Sequence, residues 1–209
     1  MKKIFVVLFL SQVLTAVPAG AVNFSLTGNL ASDDTVQLFN FSILTPASVT
    51  LRTLSYGGGT NVVGDVISPG GFDPIVTLFD DIGNFIALND DDGDDGVVDV
   101  ALPDPETGAV FDSFLTIALP AGDYTVAVTQ FNNFALGPNL ANGFRGADTV
   151  GFVDDTGATR TSFLAFDILN VDSVSVVSQP GGVVPEPGSL LLFGSGLVGL
   201  AWWRRKKAA

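Results

Sequence analysis

Residues 89 to 96 read Asn89-Asp90-Asp91-Asp92-Gly93-Asp94-Asp95-Gly96, five carboxylates in six positions with Asp99 close behind. Like charges packed this closely repel one another by about a few kcal/mol unless solvated or neutralised, and a hard divalent cation is the natural neutraliser. Calcium takes roughly six to eight oxygen ligands, and this loop can supply most of them. Asn89, Asp90, Asp91, Asp92, Asp94 and Asp95 are therefore the candidate metal ligands, with calcium as the candidate cofactor. The loop is not an EF-hand: counted from Asp91, Gly96 falls at the sixth position, but Leu102 stands where a bidentate glutamate closes that motif. The site is expected to be irregular, finished by backbone carbonyls or by an aspartate of another strand, such as Asp73 or Asp112.

Little other chemistry is available. The chain has no cysteine and no histidine, which removes thiol nucleophiles, disulfides, thiolate metal centres and Ser-His-Asp triads. Acidic pairs are plentiful, yet none sits in an aromatic cleft motif of the kind glycoside hydrolysis uses. Gly57-Gly58-Gly59 lacks the Lys-Ser/Thr and helix of a phosphate loop. Phe131 and Phe134, flanking Asn132-Asn133, are the best placed aromatics for stacking on a glycan, and Asn142, Arg145, Asp148 and Arg160 lie in the same span as a solvated loop or a ligand contact. Asn23-Phe24-Ser25 and Asn40-Phe41-Ser42 match the N-glycosylation pattern. Residues 22–184 hold 21 acidic groups against Arg52, Arg145 and Arg160, a net charge of −18. Such a body is repelled by phosphate backbones, so nucleic acid is not an expected partner, and no enzymatic activity is expected.

The elements that must position these residues read as strands. Short stretches rich in β-branched and aromatic residues alternate with Gly, Pro, Asn and Asp clusters. Strands are expected at 23–30, 35–43, 48–54, 75–79, 85–88, 111–119, 124–130, 163–169 and 173–177. Within them the period is two: Val49, Leu51 and Thr53; Tyr124, Val126 and Val128; and Leu164, Phe166 and Ile168 each share one face and are core. Two longer spans, 90–110 and 132–162, carry little pattern. The segments Asp73-Pro74-Ile75-Val76-Thr77-Leu78-Phe79-Asp80, Gly83 to Asp91, and Phe114 to Val128 with its Ala121-Gly122-Asp123-Tyr124 step resemble a pre-peptidase C-terminal domain. The resemblance covers about residues 35–130 and implies a small jelly-roll-like sandwich, calcium-binding or polymer-binding in some members. No peptidase domain precedes it here, so only the fold carries over: all-β, an antiparallel jelly-roll-like β-sandwich over residues 22–180.

The two ends read as targeting segments. Lys2 and Lys3 precede an apolar run, Ile4 to Leu10, and the small residues Ala19 and Ala21 follow in the order of a secretory signal peptide cleaved after Ala21. At the other end, residues 181–188 form a linker containing Pro185-Glu186-Pro187. An uncharged segment, 189–203, is about 22 Å long as a single hydrophobic helix, and residues 204–209 form a basic tail with Arg204-Arg205-Lys206-Lys207. The helix is short for a bilayer, but the basic cluster stays cytoplasmic by the positive-inside rule, which places residues 22–184 on the far side as the signal peptide does.

Pro185-Glu186-Pro187, a Gly-containing apolar helix and terminal Arg204 and Arg205 resemble the PEP-CTERM sorting signal. The resemblance implies recognition and cleavage by exosortase after passage through the Sec machinery, with residues 189–203 holding the inner membrane transiently. It also implies a Gram-negative, exopolysaccharide-producing host and a final place in the cell envelope, at the cell surface or in the extracellular matrix. The expected function is a non-enzymatic structural or matrix-associated protein; the alternative is a calcium-dependent exopolysaccharide-binding module.

Overall fold

The computed structural model describes residues 20–93, 100–148 and 150–177. The expected signal peptide, apart from Gly20 and Ala21, and the expected linker, hydrophobic helix and basic tail lie outside the described residues. No helix among the described residues is long and apolar enough to cross a membrane.

All nine strands expected from the alternation are present: β1 (Val22–Asn29), β2 (Gln37–Ile43), β3 (Ala47–Thr53), β6 (Pro74–Asp80), β7 (Phe85–Asn89), β8 (Phe114–Leu119), β9 (Gly122–Gln130), β10 (Phe163–Val171) and β11 (Ser173–Val177). A short hairpin, β4 (Gly59–Thr60) with β5 (Val66–Ile67), is added where the sequence shows only a glycine-rich loop. Strands of two residues carry no period to read.

One sheet has the order β1-β10-β3-β8 and the other β11-β2-β9-β6-β7. Their pairings are antiparallel throughout. With β4, β5 and β11 set aside, the remaining eight strands pair as a nest, β1 with β10, β2 with β9, β3 with β8 and β6 with β7. Successive pairs alternate between the sheets, which is the winding of a jelly roll.

Alternation puts Leu26, Val49, Leu51, Phe166 and Ile168 of the first sheet against Phe39, Phe41, Leu78, Val126 and Val128 of the second, all buried in one core. Phe39 and Phe166 meet across it with ring centroids 5.2 Å apart. Removing such apolar area from water, at about 25 cal/mol per Å², is what holds the two layers together.

The winding also sorts the connections. Four long ones, 30–36, 54–73, 90–113 and 131–162, leave from one end of the sandwich, and the turns at the other end are short, as at 44–46, 81–84 and 120–121. The longest, 131–162, is not a solvated loop. It lies over the outer face of β6, where Ile75, Thr77 and Phe79 are buried although they point away from the core. Phe144 packs edge-on to Phe79 at 6.5 Å. At the far turn Phe85 N donates to Pro138 O (2.8 Å) and Leu140 N to Gly83 O (2.7 Å), beside a single 3-10 turn, Leu140–Asn142, capped by Asn139.

Candidate functional site

Asp73, Asp90 and Asp91 come together at the loop-bearing end. Each offers a carboxylate oxygen, and the three oxygens lie within 4.8 Å of one another. Asp73 stands just before β6, an apolar strand buried along almost its whole length, while Asp90 and Asp91 follow β7, its antiparallel neighbour. The pairing of Val76 with Asn89 carries the two ends to the same place. The Asp73 side chain is buried, 2% exposed, and its Oδ1 has no hydrogen-bond partner. Burial, reinforced by the charges of Asp91, Asp90, Asp154 and Asp112, pushes its carboxyl up to about 9.

The neighbouring candidates serve the frame. Asn89 Oδ1 accepts from Phe114 N (2.6 Å) and its Nδ2 donates to Asp91 O (3.0 Å). Asp92 Oδ2 accepts from Val100 N (2.8 Å) and Ala101 N (2.6 Å). Asp94 and Asp95 lie outside the described residues. The Ser113 hydroxyl stands 2.6, 2.7 and 3.0 Å from the carbonyl oxygens of Pro74, Asp90 and Asn89, so one proton ties β6, β7 and the segment leading into β8. Of the two outside aspartates expected to complete a cluster, Asp73 does so and Asp112 does not.

Asp112 instead organises the turn after β3. Its Oδ1 accepts from Thr53 Oγ1 (2.8 Å), Ser55 N (2.7 Å) and Tyr56 N (3.1 Å), and its Oδ2 from Gly57 N (2.8 Å). Burial pushes this carboxyl up, and the four hydrogen bonds oppose that shift. Gly57 has no room for a side chain, because a Cβ would overlap the Leu102 carbonyl. Asp112→Ala should cost about 3 kcal/mol in a denaturant titration, since it strands buried amides rather than merely deleting a contact; a cost under about 1 kcal/mol would mean that water replaces the carboxylate.

A second cluster lies beside the first, and sequence reading did not assemble it. Arg160 is buried, its Nε 2.7 Å from Asp154 Oδ2 and its Nη1 3.2 Å from Asp104 Oδ2. Its guanidinium stacks 4.2 Å from the centroid of the Tyr56 ring, and Nη2 donates to the Tyr56 hydroxyl (2.7 Å), which donates in turn to Asp154 Oδ2 (2.8 Å). Each aspartate also closes its own turn: Asp104 Oδ1 accepts from Thr107 N (2.9 Å), and Asp154 Oδ1 from Thr156 N and Ala158 N (both 2.9 Å). Burial pushes the Asp154 carboxyl up, but hydrogen bonds from Thr156, Tyr56, Arg160 and Ala158 outweigh it and hold it at about 2. Burial likewise pushes the Tyr56 hydroxyl up. Three long connections are pinned to one guanidinium, and the sequence signals for it were the turn-forming runs Asp104-Pro105-Glu106-Thr107-Gly108 and Asp154-Asp155-Thr156-Gly157.

The remaining expected contacts are dispersed. Phe131 and Phe134 are half-buried and pack edge-on to each other at 5.9 Å, and Arg145 covers Phe134 at 5.7 Å while pairing with Asp148 at 3.1 Å. Asn142 helps cap the 3-10 turn through Asn139 N (3.1 Å).

No curated protein matches the chain. Residues 183–206 match the PEP-CTERM protein-sorting motif. That match leaves the body unassigned, and the likeness of residues 35–130 to pre-peptidase C-terminal domains stays a resemblance in sequence. The motif is that of exosortase-targeted exported proteins, and it indicates export and transient anchoring in the membrane before processing.

Proposed function

We propose that the chain is a non-enzymatic structural protein of the envelope or extracellular matrix of an exopolysaccharide-producing Gram-negative bacterium, exported by Sec and released from the inner membrane by exosortase. The observation that carries this reading is the sorting motif at 183–206, placed directly after a sandwich whose last strand ends at Val177. The non-enzymatic part draws support from how the buried polar residues are used. Asp104, Asp112, Asp154 and Arg160 bind turns and one another, an arrangement that stabilises loops and offers no activated nucleophile or base.

Intact mass of the protein recovered from its host tests the reading. The major species should lack residues 1–21 and everything beyond about Pro187, and replacing Pro185, Glu186 and Pro187 by alanine should convert it to a species that keeps Trp202, Trp203 and the basic cluster. A native mass that already retains the tail overturns release by exosortase. The second reading, calcium-dependent binding of an exopolysaccharide, draws on the Asp73, Asp90 and Asp91 cluster. Retention on host polysaccharide with calcium and loss with chelator would favour it; no retention in either condition leaves the structural role.

A further inference from the structure

We propose that Asp73, Asp90 and Asp91 hold one divalent cation, calcium by its chemistry, which clamps the start of β6 to the connection between β7 and β8. The inference does not depend on the sorting reading. It rests on three observations. The first is the convergence of three carboxylates within 4.8 Å on two neighbouring strands. The second is the Asp73 carboxyl, 2% exposed with Oδ1 lacking a hydrogen-bond partner. Buried acceptors are ordinarily satisfied, and one left open in a cluster of like charge marks the place of a missing positive partner.

The third observation concerns which partner that is. Residues 22–184 contain only three basic side chains, and all are engaged elsewhere: Arg52 with Asp167 at 2.7 Å, Arg145 with Asp148 at 3.1 Å, and Arg160 with Asp104 and Asp154. The body therefore has no cationic side chain to spare for Asp73, which leaves a metal ion or a proton as its neutraliser. The donors are oxygen alone, with the carbonyls of Pro74, Asn89 and Asp90 gathered on Ser113 alongside. An irregular all-oxygen set suits calcium, which tolerates variable geometry, better than magnesium, which demands a near-ideal octahedron and keeps its waters.

The cluster gives the β7–β8 connection its purpose. Asp92 N donates to Asp112 O (2.9 Å), and Asp112 holds the turn after β3, so a cation at Asp73 fixes loops of both sheets at once. The competing neutraliser is a proton on Asp73, and the two predict different responses to substitution.

The test is thermal melting of the full chain in mild detergent, with equilibrium dialysis against radioactive calcium for stoichiometry. At about 1 mM calcium, the range in which extracellular calcium modules load, the melting temperature should rise by about 5–10 °C over the chelated sample. Magnesium should act more weakly, and sodium chloride at matched ionic strength should have little effect. Asp73→Asn should remove most of the calcium shift and lower the dialysis count by one ion. If Asp73→Asn does not fold, the half-buried pair Asp90→Asn and Asp91→Asn carries the same comparison. Equal melting in calcium and chelator, an equal shift with sodium chloride, or a full calcium shift retained by the folded variants would overturn the site, the first of these in favour of a protonated Asp73.

Discussion

Arg160→Met should lower the unfolding free energy by about 3–5 kcal/mol, which for a chain of this size is a fall of about 10 °C in melting temperature. The magnitude follows from what is left behind. Asp104 and Asp154 are buried, at 2% and 4% exposure, and each faces the guanidinium from a different connection. Methionine fills the volume but supplies no charge, so two carboxylates lose their counter-ion and the Tyr56 hydroxyl loses its donor. If the loss is electrostatic, adding Asp104→Asn and Asp154→Asn should restore part of it, because an uncharged set in place of a buried ion pair is often near neutral. A cost below about 1 kcal/mol for Arg160→Met would mean that the cluster opens to water.

Stability should depend on pH at both ends of the range, with opposite signs. The Asp154 carboxyl is held at about 2, below its unfolded value. Its contribution is complete above about pH 4 and is lost as pH falls toward 2, a loss of roughly 2 kcal/mol. Asp73 is the reverse case, raised to about 9 by burial and neighbouring carboxylates. Its folded state holds a proton that the unfolded chain releases near pH 4, so in chelator stability is greatest at acid pH and declines by about 1.4 kcal/mol per pH unit until pH passes 9. Denaturant midpoints in chelator at pH 5, 7 and 8 measure this directly. A flat profile would place the Asp73 carboxyl in the ordinary range, while calcium should flatten the slope because the ion displaces the proton.

The strands were legible because their period is two and their breakers are clear. Val49-x-Leu51-x-Thr53 and Leu164-x-Phe166-x-Ile168 announce a buried face, and each is buried. β6 was legible as a strand, but not as one covered on both sides. Its run Pro74-Ile75-Val76-Thr77-Leu78-Phe79, apolar but for Thr77, was the sign that something lies on its outer face. The cover comes from 131–162, whose own sequence is polar and aperiodic, since it is held by turns and side-chain caps rather than by a regular ladder. The acidic cluster was half legible. A run of aspartates shows that charge accumulates but not which members point together. Asp90 and Asp91 meet Asp73 because of the β6–β7 register, while Asp92 turns to Val100 and Ala101. Arg160 was legible only as a solvated loop charge or a ligand contact, because nothing local distinguishes an arginine on a surface loop from one that three loops close over.

The last strand has a direction. Val177 pairs with Leu38, so β11 ends on the side of the sandwich from which the four long connections leave, and Val22, the first residue of β1, pairs with Val171 at the opposite pole. Only residues 178–184 separate Val177 from Pro185, a span of about 25 Å when fully extended. The chain therefore leaves the sandwich toward its sorting motif from the same pole that bears Asp73, Asp90, Asp91, Asp104 and Asp154, and β1 begins at the opposite one.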